Sequence, residues 1–175
     1  DGGSEALTAE QADNAALITA ISLQRGLPAR AATIALATAM QESKIRNINY
    51  GDRDSVGLFQ QRPSQGWGAP DQIMDPVYST NAFYDGLLKV AGYESMEITV
   101  AAQAVQRSGF PDAYAQHELM ARAFASALTG HSEGALTCDL GPSESTPGAI
   151  ASAVAARLER DFHADAPNML WVTDV

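Results

Sequence analysis

The sequence predicts a mainly α-helical protein, and three observations support this fold class. Hydrophobic residues make up 46% of the chain and charged residues 18%, which is typical of a globular protein. The chain is rich in alanine and poor in valine and isoleucine runs, which favours helices over strands. Helix start and stop signals recur along the sequence. The 175 residues suffice for one domain with its own hydrophobic core.

The first helix is predicted from Thr8 to about Arg25. Thr8-Ala9-Glu10-Gln11 fits a capping box. In this motif the threonine hydroxyl accepts a hydrogen bond from the glutamine backbone amide, and the glutamine side chain accepts one from the threonine backbone amide. Gly26 is a typical residue to end the helix. We expect the alanine, isoleucine and leucine face of this helix to lie in the core.

Pro28 suits the first turn of a second helix, over about residues 28–44. Leu36, Ala39 and Met40 of this helix can face the core. Glu42 then emerges near the C-terminal end, beside small residues that let another segment approach closely.

Glu42 is the candidate general acid. Partial desolvation and the negative end of the helix dipole should both raise its pKa. A carboxylic acid that is still protonated near neutral pH can donate its proton to a leaving oxygen. The alternative is a solvated glutamate at a helix end, paired with Lys44 or Arg46.

A polar loop over residues 47–54 follows the second helix. It contains Asp52 and Asp54, either of which is a candidate second catalytic carboxylate or water holder. The alternative for both is a solvated loop.

A cluster of glycine, serine, glutamine and aromatic residues spans Ser55 to Gly68. A glycine permits close backbone approach, uncharged amides suit the hydroxyl and acetamido groups of sugars, and a tryptophan can stack on a sugar ring. The alternative for the tryptophan is packing in the core. The candidate substrate-binding residues of this cluster are Ser55, Gly57, Gln60, Gln61 and Trp67.

Three further helices are predicted downstream. Asp75-Pro76 begins one that runs to about Val90 and buries Val77, Phe83 and Leu87. Thr99 caps a short helix from Val100 to Arg107, and another helix covers about residues 112–128. Gly130 ends that last helix and, with it, the predicted helical domain of residues 1–130.

Residues 131–147 read as a linker, and residues 148–175 as a C-terminal helix with a tail. The apolar residues at the end of that tail either pack back on the first domain or belong to a second domain that the chain only begins, and we favour the second interpretation. The single cysteine, Cys138, cannot form an internal disulfide and is either inert or half of a bridge to a partner.

Charge and composition exclude several classes of protein. The net charge of −10 is unfavourable for nucleic-acid binding, which needs many lysines and arginines. No run approaches the roughly 18 apolar residues of a membrane span. The histidines His117, His131 and His163 lack metal-ligand spacing, and no cofactor motif occurs, so we expect neither a metal nor a cofactor. A chain that begins with Asp1 rather than methionine is typical of a processed protein, such as a mature secreted one, or of an engineered one.

Three segments together resemble a known family. The strings AMQES (39–43), SVGLFQ (55–60) and AAQAVQRSG (101–109) resemble the lysozyme-like lytic transglycosylases of bacterial cell walls. The resemblance covers about residues 28–128. The GLFQQRPSQGWG segment is similar to that of secreted actinobacterial proteins of this kind.

The resemblance implies a lysozyme-like helical domain in which Glu42 is the general acid/base. It implies that Ser55 and Gln60 line a glycan cleft and that Gly57 holds that turn. Ser43 follows Glu42 as the family's serine does and is a further candidate substrate-binding residue. The sequence departs from the family pattern at two positions, where Val105 replaces a usual tyrosine and Gln106 an asparagine. Gln106 is therefore a candidate substrate-binding residue.

The implied activity is cleavage of peptidoglycan glycan strands by an extracytoplasmic, monomeric enzyme. Glu42 would protonate the glycosidic oxygen and then assist attack by the sugar's own 6-hydroxyl. If Asp52 or Asp54 holds a water instead, the product is an ordinary reducing sugar. One alternative is a protein on the same fold that binds glycan or cell wall without cutting it. The other is an interaction protein in which Glu42 merely ends a helix.

Overall fold

The computed structural model describes residues 6–108 and 112–137. Within this part the chain is helical, and its β-structure is an isolated bridge between Val56 and Gln61. The α-helices are α1 Ala9–Gln24, α2 Ala29–Ser43, α3 Pro70–Ile73, α4 Pro76–Leu87, α5 Ile98–Gln106 and α6 Glu118–Leu128. Short 3-10 turns cover Pro63–Gln65, Tyr93–Ser95 and Ala115–His117. The mainly α-helical prediction is confirmed.

These helices belong to a compact unit that extends to Leu136. The predicted linker beyond residue 137, the C-terminal helix and Cys138 lie outside the described residues. No helix in the described ranges combines the length and apolar character that crossing a membrane requires.

Helix α1 begins with the predicted capping box. The Thr8 hydroxyl accepts a hydrogen bond from the Gln11 amide at 3.3 Å, and the Gln11 side chain accepts one from the Thr8 amide at 2.9 Å. The helix ends at Gln24, and Gly26 follows with a φ of 65°. Both predicted helix-end signals are confirmed.

Helix α2 lies at the centre of the core. It packs against α1, α4, α5 and α6. Leu36 and Ala39 are fully buried as predicted, whereas Met40 is only partly buried. The many alanines of α2 let its neighbours approach closely, so that its last turn is held rigidly by the surrounding helices.

Several predicted helix details were wrong. Helix α5 begins at Ile98, with Glu97 rather than Thr99 at its N-cap. The predicted helix over 112–128 starts as a 3-10 turn and becomes α-helical only at Glu118. Val77 is 47% exposed because it lies in the first turn of α4, where its amide is capped by the Asp75 carboxylate. Phe83 and Leu87 are buried as expected.

Candidate active site

Glu42 lies in the last turn of α2, and the chain leaves the helix abruptly after it. Lys44 and Ile45 both adopt left-handed backbone conformations, with φ of 60° and 57°. Their amides close the helix by donating to the carbonyls of Met40 at 3.1 Å and Ala39 at 3.0 Å. A fully buried, β-branched isoleucine at positive φ is unusual, and such strained positions cluster at functional sites.

Two neutral side chains contact the Glu42 carboxylate. The Tyr114 hydroxyl donates a hydrogen bond to Glu42 Oε1 at 2.6 Å, and the Gln106 amide lies close enough to influence the carboxylate. Burial raises the pKa of Glu42 above its ordinary value, although Tyr114 and, less strongly, Gln106 act to lower it. The carboxyl group is thus shifted toward the protonated form that a proton donor needs.

The positive side chains that follow Glu42 in the sequence are not paired with it. Arg46 is 3.6 Å from Glu10, and Lys44 is exposed. Among the described residues, no ion pair involves Glu42. The carboxyl group is therefore not fixed in its charged form by a cation.

Tyr114 was not among the residues selected from the sequence. Its side chain is buried, and this burial, together with the negative charge of Glu42, raises the pKa of the phenol well above its usual range. Tyr114 therefore stays protonated and serves as a donor. Tyr114 lies 72 residues beyond Glu42, so no local sequence signal near the glutamate indicates this partner.

Ser43 and Gln106 hold the backbone of the segment that faces Glu42. The Ser43 hydroxyl donates to the Leu58 carbonyl at 2.7 Å, and the Gln106 amide donates to the Phe59 carbonyl at 2.7 Å. Gly57 begins this segment with a φ of 81°, and a Cβ there would lie 2.8 Å from a backbone oxygen of Ile73. Only glycine fits this position without displacing the neighbouring chain.

The other polar candidates from the cluster also contact the protein's own backbone. The Gln60 amide donates to the carbonyls of Tyr50 and Gly57, each at 3.2 Å. Gln61 is buried and donates to the Ser79 carbonyl at 3.0 Å, and Ser55 is buried as well. These contacts stabilise the loop, and substrate binding by Gln60, Gln61 and Ser55 stays a prediction.

The two candidate second carboxylates differ in their surroundings. Asp54 accepts hydrogen bonds from the Ser64 amide at 2.8 Å, the Ser64 hydroxyl at 3.0 Å and Arg62 at 3.0 Å. These contacts, those from Ser64 above all, hold the pKa of Asp54 well below its usual range. Asp54 therefore stabilises the turn at Pro63–Gln65 as an ionised group. Asp52 is exposed, and within the described ranges neither aspartate hydrogen-bonds to Glu42.

Gln106 also lines a groove of about 750 Å³, to which Glu42 and Tyr114 do not contribute. Gln106 thus connects the Glu42 carboxyl group with this groove. Helices α4 and α5 form its walls and approach so closely that a Cβ at Gly86 would lie 2.9 Å from Val105. Trp67 also lines the groove, and its ring lies beside Gly86. Its backbone carbonyl accepts a hydrogen bond from Tyr78 at 3.1 Å, which fixes this part of the wall.

The hydrogen bond from Tyr114 gives a first prediction. Replacing Tyr114 with phenylalanine should raise the pKa of Glu42 further, because the lost donor stabilises the ionised carboxylate. Titration of the Glu42 side-chain carboxyl by carbon NMR measures this change. Tyr78→Phe is the matched control, since that hydroxyl bonds to Trp67 rather than to Glu42. An unchanged or lower pKa in Tyr114→Phe would contradict the assigned hydrogen bond.

The described part of the chain contains no group of three or more histidine, cysteine, aspartate or glutamate residues arranged to hold a metal ion. No protein-family model matches the sequence, and no match is found among curated proteins.

Proposed function

We propose that this protein cuts the glycan strands of peptidoglycan outside the cytoplasmic membrane, on a lysozyme-like helical fold. The observation that carries the proposal is the state of Glu42, a partly buried carboxyl group with a raised pKa and neutral hydrogen-bond partners beside a groove. A perturbed titratable group next to a groove is a typical mark of a catalytic acid. The spacing of the AMQES and SVGLFQ segments supports peptidoglycan as the substrate.

Glu42 acts twice in the proposed reaction. Its protonated carboxyl donates a proton to the glycosidic oxygen while the bond from the anomeric carbon to that oxygen breaks. The leaving sugar departs as an alcohol. The Glu42 carboxylate then takes the proton of the substrate's 6-hydroxyl as its oxygen attacks the anomeric carbon. Tyr114 stabilises the carboxylate between these steps, because its hydroxyl donates a hydrogen bond to the charged form, and the nearby Gln106 amide favours the same form.

The surroundings of Asp54 support this internal attack over hydrolysis. Hydrolysis with two carboxylates needs a second acid group free to act as a nucleophile or to hold a water. Both oxygens of Asp54 already accept hydrogen bonds from Arg62 and Ser64. The proposed product is therefore an anhydro sugar end, and an ordinary reducing end is the outcome expected if Asp52 holds a water.

Mass spectrometry of the products from purified peptidoglycan tests the proposal. We expect soluble muropeptides lighter by one water than the hydrolytic products, since the 6-hydroxyl replaces water as the nucleophile. Retention on wall material without any released sugar would indicate the non-catalytic binding protein instead. The absence of both cutting and binding would contradict the proposal.

A further inference from the structure

Two cations line the groove to which Gln106 contributes. Lys89 and Arg107 are both exposed, and no carboxylate in the described part of the chain forms an ion pair with either of them. The groove also contains Asp85, but that carboxylate lies 2.6 Å from Arg25. The charge of Asp85 is therefore balanced by a neighbour, and the remaining side chains leave the groove positive.

Both cations lie at helix ends beside the site. Lys89 follows the end of α4, and Arg107 is the C-cap of α5 with a φ of 51°. The exposed carbonyls at a helix C-terminus favour positive charge, so these positions suit a lysine and an arginine. Arg107 directly follows Gln106, the residue of this groove whose side chain also influences the pKa of Glu42. The positive part of the groove thus includes the neighbour of the residue that connects it with the proton donor.

This positive groove contrasts with the rest of the protein. The chain has 21 acidic and 11 basic residues, so its overall field repels anions. A second groove, of about 430 Å³, also contains two arginines, Arg30 and Arg122. There, Arg30 is paired with Glu118 at 2.9 Å, and Glu94 lines the same groove. The groove beside Glu42 therefore differs from the second groove in containing two cations without an ion-pair partner among the described residues.

We propose that the groove beside Glu42 binds glycan that carries carboxylate groups, with Lys89 and Arg107 contacting those carboxylates and Trp67 packing against a sugar ring. This inference rests on the proposed function and assigns to Lys89 and Arg107 the recognition of the acid groups of its substrate. The carboxylates have two sources, an acid group on the sugar itself or a peptide attached to it. Cation–carboxylate contacts at a groove edge contribute specificity and are weakened by salt.

Binding to the Glu42→Gln variant tests the inference, because that variant is not expected to cut its ligand. Calorimetry compares three oligosaccharides of equal length: a neutral N-acetylglucosamine oligomer, a glycan with free sugar carboxylates and a glycan with attached peptides. We expect at least one acidic ligand to bind about three- to tenfold more tightly than the neutral one at low salt, from two exposed ion pairs. The tighter of the two acidic ligands identifies the source of the carboxylate.

Variants that remove one positive charge show which residues cause the preference for acidic ligands. In the Glu42→Gln background, Lys89→Gln and Arg107→Gln should each weaken acidic-ligand binding by about two- to threefold and leave neutral-ligand binding unchanged. Arg122→Gln is the matched control, since it removes an exposed cation from the other groove and should keep the preference. Equal affinity for neutral and acidic ligands, or an equal loss in Arg122→Gln, overturns the inference.

The two proposals fail in different ways. Wild-type protein that releases muropeptides but shows no preference for acidic ligands would overturn only the role of Lys89 and Arg107. A preference for acidic glycan without any release of product would overturn only the cutting reaction.

Discussion

Replacing Glu42 with glutamine is expected to slow the release of muropeptides by about 10²–10⁴-fold, the usual contribution of a general acid or base. The amide has nearly the same shape as the carboxyl group and can still accept a hydrogen bond from Tyr114. It has no acidic proton to give to the glycosidic oxygen and no basic carboxylate with which to take one back. The measurement is the initial rate of product release from purified peptidoglycan.

The same variant should be more stable than the wild type at neutral pH. Burial raises the pKa of Glu42, so ionisation of this group destabilises the fold. Its stabilising contribution is complete below the unfolded-state pKa, about 4.5, and is lost as the pH rises through the folded-state value. Denaturant unfolding of both proteins should show the advantage of glutamine near pH 7 but not below about pH 4. A variant that loses activity while it gains stability is still folded, so its loss of activity is due to the missing carboxyl group.

Glu94→Gln is the control for the loss of one negative charge. Glu94 is exposed and lines the second groove, so its replacement should leave product release unchanged. Activity that survives in Glu42→Gln would remove Glu42 from the role of proton donor. An equal loss in Glu94→Gln would assign the effect to overall charge.

The local features of α2 and Glu42 could be predicted from the sequence. Proline near the start, alanines through the middle and a glutamate near the end define this helix through short-range preferences. The capping box at Thr8 and the start of α4 at Pro76 follow from the same local chemistry. Such features depend on residues within one or two turns of each other, so the local sequence is enough to predict where these helices begin and end.

The partners within the site could not be predicted in this way. Tyr114 is 72 residues from Glu42, and only the packing of the segment before α6 against α2 brings them together. The amide of Gln106 and the hydroxyl of Ser43 suit a sugar hydroxyl and a backbone carbonyl equally well. Tertiary packing places the carbonyls of Leu58 and Phe59 within their reach.

The backbone conformations next to the site could not be predicted from the sequence either. Among the described residues, four non-glycine positions with positive φ lie within three residues of Glu42, Phe59 or Gln106: Lys44, Ile45, Gln60 and Arg107. These residue types ordinarily prefer negative φ, so their sequence gives no signal for a left-handed turn. The surrounding contacts impose these conformations, as is typical of functional sites.

Replacing Phe59 with alanine is expected to lower the free energy of unfolding by about 3–5 kcal/mol. The Phe59 side chain is fully buried and stacks on Phe83, with ring centroids 4.6 Å apart and planes 11° from parallel. Truncation removes the aromatic contact and leaves a cavity that the helices around it fill only in part. Urea unfolding monitored by circular dichroism measures the change.

Phe59→Leu is the matched control, since it keeps an apolar side chain of similar length and should cost less than the alanine variant. The two variants also test whether the core orients the site, because the Phe59 carbonyl accepts the hydrogen bond from Gln106, which in turn contacts Glu42. If the stack fixes that carbonyl, the carbon NMR titration of Glu42 should change more in Phe59→Ala than in Phe59→Leu, under conditions where both remain folded. A large loss of stability with an unchanged titration would show that Ser43 and Gln106 alone hold the segment against the carboxyl group.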